Sequence, residues 1–524
     1  MGLIAKFASV GGATAASRVL GFAREAAIAA LLGAGPVADA FYAAFRFPNL
    51  FRRLFAEGPF NAAFVPLFTK ALHGEDGRTK ARELASDIAS LLLVALIAFS
   101  ALAILVMPFL TATIIAPRFA DTPEKFDLTV LLARVMFPYL AAMSFAAMLA
   151  GVLNAHSRYF VAALAPTLLN VVLIGALALG WWLGVGDATL GLYLAVGVTI
   201  SGALQLLLLV WELRRTGFGF SVLRRPRLSS GVKRFLVLAG PAVLTGGVTQ
   251  INLVVGQIIA SAQDGAIALI NYADRIFQLP LGIIGIAIGV VLLPELSKAL
   301  RAGDGVGAAS LQNRSLEFSL LLTLPAAAGL VVMPEPIVAV LFERGAFTPE
   351  TTARAADVLR AFAWGLPAFV LVKVFQPAFY AREDMTTPLA ATLANVVVNV
   401  ALSLALFPRF GPAGIGMATS AAGWVNLAIL FTISTARGHF APARSTVRAV
   451  AAIGLGAVLM GAALWYASSL VAPALGSGPF VVRAPLVALL VLGAALVHFA
   501  VVIVAGGIGL RDIKGSFRRG ASGG

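Results

Sequence analysis

Hydrophobic positions along the chain fall into long, nearly unbroken runs, separated by short clusters of Gly, Pro and charged residues. A helix crossing a bilayer needs about 20 mostly apolar residues at ~1.5 Å rise each. Runs of that length occupy residues 8–32, 37–70, 84–107, 128–154, 160–183, 188–212, 234–261, 266–297, 315–341, 354–380, 387–407, 412–436, 446–470 and 483–509. The pattern predicts an all-α polytopic membrane protein with about fourteen transmembrane helices. The second and eighth runs are long and interrupted by Pro48, Pro59, Pro66, Pro280 and Pro294. Such breaks are tolerated where neighbouring helices or a cavity satisfy the freed backbone groups. The first run is no cleavable signal, because Arg18, Arg24 and Glu25 sit where a signal peptide needs an uninterrupted apolar stretch.

The short polar clusters set an orientation. Lys70, Arg78, Lys80 and Arg82 follow the second run, and Arg214, Arg215, Arg224, Arg225, Arg227, Lys233 and Arg234 follow the sixth. Lys298, Arg301, Arg314, Arg437, Arg444, Arg448 and the tail residues Arg511, Lys514, Arg518 and Arg519 fall on the same side. The opposite loops hold little beyond Arg118, Lys125, Arg344 and Arg409. Cytoplasmic loops carry the excess of Lys and Arg, so both termini are expected in the cytoplasm.

The runs also repeat. VPLFTKAL at 65–72 returns as LPELSKAL at 293–300, APTLLNVV at 165–172 as AATLANVV at 390–397, and Tyr42-Ala43 as Tyr272-Ala273. The offset stays near six helices, an even number of crossings, so the copies share one topology and form a parallel repeat. The expected organisation is an N-lobe over 1–213, a basic cytoplasmic linker over 214–233 and a C-lobe over 234–437. Two extra C-terminal helices at 446–509 and a basic tail at 510–524 complete it. Paired six-helix lobes around a central cavity are the architecture of alternating-access transporters.

Composition narrows the chemistry. Of 524 residues, 60% are hydrophobic and 12% charged, which leaves no polar stretch for a separate soluble catalytic domain. There is no cysteine, which removes disulfides and thiolate chemistry, and the four histidines lie far apart, which argues against a histidine metal centre. The net charge of +15 belongs to loops facing anionic lipid and calls for no nucleic acid. No Walker-type glycine loop is present, so no nucleotide is expected and an ion gradient or the membrane potential must supply the energy.

The few charges inside the runs are the candidate site. An ionisable residue at mid-bilayer costs ~2.5–3.5 kcal/mol on insertion scales. In the first run Thr14, Ser17, Arg18, Gly21, Arg24 and Glu25 share one helical face. The second adds Asp39, Arg46, Arg52, Arg53 and Glu57, giving five arginines against three carboxylates over the two helices. A plainer reading has Arg18 and Glu25, two turns apart, joining helices by ion pairs. The cationic surplus argues instead for an anionic ligand, and the planar fork of Arg suits phosphate. In the second lobe Asp274 and Arg275 follow the repeated Tyr-Ala, and Lys373 lies within the tenth run, where it could also snorkel.

The stretches SRVLGFARE at 17–25, ADAF at 38–41 and FPNLFRRLFAEG at 47–58 resemble the opening helices of the MurJ (MviN) lipid II flippases. YADRI at 272–276, and Lys373 through PAFYAR at 377–382 with Asp384 and Thr387-Pro388, are similar to the eighth and tenth helices of that family. The resemblance covers nearly the whole chain, and Pro59 departs from it where a small residue is expected. It implies the fold of the multidrug/oligosaccharidyl-lipid/polysaccharide exporter superfamily and lipid II as cargo. It also implies work alongside the cell-wall synthesis machinery in the bacterial inner membrane. The diphosphate is then expected on Arg18, Arg24 and Arg52, with Arg53 beside them, while Arg275 and Lys373 line or gate the second lobe. Glu25, Asp39, Glu57 and Asp274 become cavity or gating carboxylates, no metal or other cofactor is expected, and coupling falls to the membrane potential or a monovalent ion. The polyprenyl tail is expected in a groove offered by the two extra helices.

Other readings stay open on the residues alone. A drug or cation antiporter of the same superfamily predicts a carboxylate-rich cavity and twelve helices. A flippase for another polyprenyl-diphosphate sugar shares the phosphate-binding arginines. A membrane-embedded transferase needs metal-binding carboxylates at a membrane face, and no such pair is seen.

Overall fold

The computed structural model describes residues 3–55 and 58–506, which are helical throughout apart from their connections. The predicted Glu57 and the basic tail 510–524 lie outside the described residues. Two compact units emerge, the first running to Ala268 and including the loop Arg344–Phe347, the second comprising Leu269–Glu343 and the chain from Thr348 onward.

The first unit contains α1 (Leu3–Leu32), α2 (Pro36–Phe55), α3 (Gly58–Leu72), α4 (Gly77–Leu105), the short α5 (Met107–Leu110), α6 (Pro123–Met136), α7 (Tyr139–Ala155), α8 (Tyr159–Leu164), α9 (Thr167–Leu183), α10 (Asp187–Arg215) and α11 (Ser230–Ala260). In it α1 packs on α9, α2 on α6, and α11 on α2 and α3. The second unit contains most of α12 (Ala266–Arg301), then α13 (Gly305–Val332), α14 (Pro334–Phe342), α15 (Pro349–Ala363), α16 (Leu366–Tyr380), α17 (Thr386–Phe410), α18 (Pro412–Ala436), α19 (Arg444–Leu470), α20 (Ala472–Ser477) and α21 (Phe480–Val504). There α17 packs along α18, and α19 lies against both α13 and α21.

Eleven helical segments among the described residues are long and apolar enough to cross a membrane, and the protein is polytopic. The charged helices α1 and α2 are not among the eleven, which follows from the arginines and carboxylates they carry mid-helix. All six tryptophans are exposed, the least of them Trp424 at 45%, an arrangement unfavourable in water and favourable at a lipid boundary. Inside, the first unit is filled by large rings such as Phe41, Phe64, Phe68, Phe137 and Tyr139.

Prolines fix the breaks within spans, since each removes one backbone donor and crowds the preceding turn. The second predicted run is helical as α2 up to Phe55 and as α3 from Gly58, with 56–57 outside the described residues, and the eighth is one helix with Pro280 and Pro294 inside it. A further pair of breaks belongs to the repeat. The span Pro123–Ala155 is interrupted before Tyr139, at Pro138, and the span Pro349–Tyr380 at Trp364–Gly365, just before Pro367. The offset between those prolines matches that of the sequence repeats.

The connection 216–229 is pinned to the first unit. Phe218 is buried against Phe68 and His156, Ser221 N–H donates to Ser86 Oγ at 3.1 Å, and Arg78 donates to the Gly217 carbonyl at 3.0 Å. Ser229 then caps α11 by accepting from Val232 N–H.

Candidate functional site

A buried polar network in the first unit surrounds Arg24. Helix α1 has a single charged face, and its packing on α9 turns that face toward Asn170. Arg24 is 7% exposed and Glu25 4%. Arg24 Nη2 pairs with Glu25 Oε1, and Arg24 Nη1 donates to Asn170 Oδ1 at 3.0 Å. The second oxygen of Glu25 accepts from the Tyr42 hydroxyl of α2 at 2.5 Å. Asn170 Nδ2 returns to α1 by donating to the Ser17 carbonyl at 3.0 Å. A buried carboxylate and amide and the two terminal nitrogens of the guanidinium are thereby engaged together, as a low-dielectric interior demands. The Arg24 Nε remains a buried donor with no hydrogen-bond partner among the described residues.

The other predicted cations of this unit are more open. Arg18 and Arg53 are exposed, and Arg52 is half-buried with its Nε donating to Asn49 Oδ1 at 2.8 Å. Glu25 thus pairs with its neighbour Arg24, and Arg18, two turns away, makes no ion pair among the described residues.

Asp39 has a different setting. It is fully buried and accepts from Lys125 Nζ at 2.8 Å, Gly265 N–H at 2.7 Å and Ala268 N–H at 2.9 Å. Lys125 also reaches Asp264 at 2.7 Å and lies over the Phe119 ring. Sequence had placed Lys125 in a loop; the structure puts it in the first turn of α6, 4% exposed, because α6 packs along α2 and carries the ammonium to Asp39. Lys125 rather than an α2 arginine compensates Asp39, so the arginines of α1 and α2 keep their surplus.

Beside this cluster, two tight turns interlock. Gly33 (φ +58°) follows α1, and Gly345 (φ +56°) lies in the loop Arg344–Phe347. A Cβ on Gly33 would stand 2.5 Å from the Ala346 carbonyl oxygen, and one on Gly345 would stand 2.2 Å from the Ala30 carbonyl oxygen. Only glycine fits, and the close approach lets Ala346 N–H donate to Ala30 O at 2.8 Å.

In the second unit Asp274 is half-buried and accepts from Gln278, and Arg275 is half-buried beside it. Lys373 of α16 is half-buried and makes no hydrogen bond or ion pair among the described residues. Its ammonium lies against Gly285 of α12, where a Cβ would come within 2.7 Å of Nζ. Asp357 pairs with Arg360 on the exposed face of α15, and two further ion-paired carboxylates of this unit sit at helix ends. Glu343 accepts from Arg483 at 2.7 Å and from Thr352 at 2.8 Å. Asp384 accepts from Arg437 Nη1 at 2.7 Å and from the N–H and hydroxyl groups of Thr386 and Thr387. The Thr387 hydroxyl and N–H, with Thr386 and Arg437, hold the Asp384 carboxyl well below the usual carboxylate range.

Among the described residues no cluster of His, Asp and Glu could hold a metal ion. Tyr42, Lys125 and Asn170 are the working residues the sequence did not single out. Tyr42 and Asn170 both lie in the repeated segments, where they read as scaffold.

The comparisons with known proteins concern nearly the full chain. The family model described as lipid II flippase MurJ matches residues 28–485. A Rhizobium meliloti protein named "Probable lipid II flippase MurJ" is 50% identical, with 100% of this chain and 97% of that protein covered. The Burkholderia cenocepacia protein named "Lipid II flippase MurJ" is 33% identical over 97% of this chain and 98% of its own length. Among solved structures, a lipid II flippase MurJ in an inward closed conformation aligns with a TM-score of 0.76 at 23% identity, covering 96% of this chain and 99% of that one. An inward-facing multidrug resistance MATE family transporter of the MOP superfamily aligns at 0.66 and 15% identity, with 80% and 94% covered. The two structures share this chain's fold.

Proposed function

The chain belongs to the lipid II flippase MurJ family, and from that premise we propose that it carries lipid II from the cytoplasmic to the periplasmic leaflet of the bacterial inner membrane by alternating access. It is a transporter and not an enzyme, serves peptidoglycan synthesis, and works with both termini in the cytoplasm. The observation that carries the choice of cargo is the surplus of arginine on α1 and α2, five residues against Glu25, Asp39 and Glu57, with Asp39 already taken by Lys125. A diphosphate supplies the missing negative charge, and several guanidinium forks can share its oxygens. A drug or cation antiporter would need the opposite sign.

In this reading Arg18, Arg24, Arg52 and Arg53 hold the diphosphate, and Arg275 and Lys373 line or gate the second lobe. The lobes are those expected from the repeat, 1–213 and 234–437, joined by the basic linker. The polyprenyl tail stays in lipid along α19 and α21, whose outward residues Leu455, Val458, Leu489, Leu492 and Leu496 are exposed and apolar. Membrane potential helps reset the cationic lobes, since moving one charge through 100 mV changes its energy by ~2.3 kcal/mol.

Complementation of a conditional lipid II flippase strain tests the site. The unmutated chain is expected to rescue growth, and R18A, R24A, R52A and R275A each to fail; full rescue by all four overturns the assignment. Flipping in sealed proteoliposomes tests the energy source, and an unchanged rate after collapse of the potential rules that coupling out.

A further inference from the structure

We infer that Asn170 is the positioning residue for Arg24: its amide, placed by α9 against Gly21 of α1, fixes the plane of the guanidinium that meets the diphosphate. The inference rests on the phosphate role proposed above for Arg24. Asn170 is 6% exposed in the first turn of the apolar helix α9, where a buried amide is costly unless both its ends are bonded. Both are, and to the same helix. Oδ1 takes Arg24 Nη1 and Nδ2 takes the Ser17 carbonyl, so the amide spans two turns of α1.

Room for this comes from Gly21. A Cβ there would already lie at van der Waals distance from Asn170 Nδ2, at 3.6 Å, and any longer side chain would press on the amide. Glu25 grips the other terminal nitrogen of Arg24 and is itself gripped by Tyr42. With Nη1 and Nη2 each committed, the guanidinium cannot rotate about its long axis, and its Nε edge is the donor left without a partner. A side chain held in one rotamer before its ligand arrives loses less freedom on binding.

The repeat supplies an internal control. Asn395, the counterpart of Asn170 in AATLANVV, is half-buried and makes no hydrogen bond among the described residues. The arginine it would serve is missing too, since the segment TQINLVV at 249–255, one repeat length beyond Arg24 and Glu25, carries no charge.

Binding of undecaprenyl diphosphate to the purified full-length chain in nanodiscs decides the matter, measured for Asn170→Leu, Asn170→Ser and Asn395→Leu, each with Arg24 and with Arg24→Ala. Asn170→Leu is expected to weaken binding about tenfold when Arg24 is present and less than about twofold when it is absent, the loss of one charge-assisted hydrogen bond. Asn170→Ser, which can satisfy its hydroxyl on its own helix, should show the same dependence if the leucine variant does not fold. Asn395→Leu should change binding less than about twofold in both backgrounds. Equal weakening with and without Arg24 would make Asn170 a clip between helices, and no weakening in either background would give it no part in binding; both overturn the inference. If Arg24→Ala alone leaves binding intact, the phosphate role of Arg24 falls first and this inference with it.

Discussion

The two units handle charge in opposite ways. In the first, carboxylates lie deep and are fully engaged: Glu25 between Arg24 and Tyr42, Asp39 between Lys125 and two backbone N–H groups. In the second, the ion-paired carboxylates Glu343 and Asp384 lie at helix ends and Asp357 pairs with Arg360 on an exposed face, while Lys373 stands without a carboxylate partner among the described residues. Short segments of the first unit recur in the second, yet the charges around them differ. The prolines, the tyrosine and the asparagine recur; the charges of α1 do not.

The strongest test of this contrast is Asp39→Asn against Asp274→Asn. Removing the Asp39 charge leaves Lys125 buried with Asp264 alone, and is expected to cost about 3 kcal/mol, the low end for breaking a buried pair. Asp274→Asn, at a half-buried position, should cost less than half as much. Thermal unfolding of the two variants in detergent gives the comparison, and equal losses would erase the distinction between the units. Next in size, Asn170→Ala should lower stability by about 1–3 kcal/mol through the buried partners it abandons, and Asn395→Ala should stay within about 0.5 kcal/mol.

A smaller effect is expected at the edge of the second unit. Asp384 accepts the free N–H groups at the start of α17, and Asp384→Asn should cost about 1 kcal/mol, as for other lost caps. The Asp384 carboxyl is held below its ordinary value of 3.8, so its contribution is present above that pH and lost as the pH falls through the folded-state value. The gap in Tm between the parent and this variant should therefore be full near neutrality and close in strong acid; a gap independent of pH would show that the ionised form is not what matters. The least costly change is Gly285→Ala, under about 1 kcal/mol, because the atoms it displaces are the flexible end of Lys373. If Lys373 serves the cargo, flipping should nevertheless fall several-fold in proteoliposomes; an unchanged rate would leave Lys373 a snorkelling residue.

Much of the fold was legible in sequence because lipid imposes one rule on every span: about 20 apolar residues with all backbone groups bonded internally. That rule located the apolar spans, and rare charges inside apolar runs marked α1 and α2. The interrupted spans at Pro138 and Pro367 were equally visible, as a fourth repeat match, but a single shared proline is too small a signal to stand out among 26.

Partners were not legible. Arg18 and Glu25 share a helical face, yet Glu25 pairs with Arg24, since helix projection ignores the reach of a long side chain and the neighbouring helices that steer it. Lys125 was counted among loop charges because nothing local distinguishes a lysine beside an exposed turn from one folded onto another helix. Sequence by itself determined which segments enter the membrane and that they carry more positive than negative charge, because transfer from water to lipid depends on composition over a local stretch. Which arginine is clamped, which aspartate is neutralised and which lysine stands apart were decided by tertiary packing alone, because a buried charge is governed by the few atoms within about 4 Å of it, and those atoms come from distant parts of the chain.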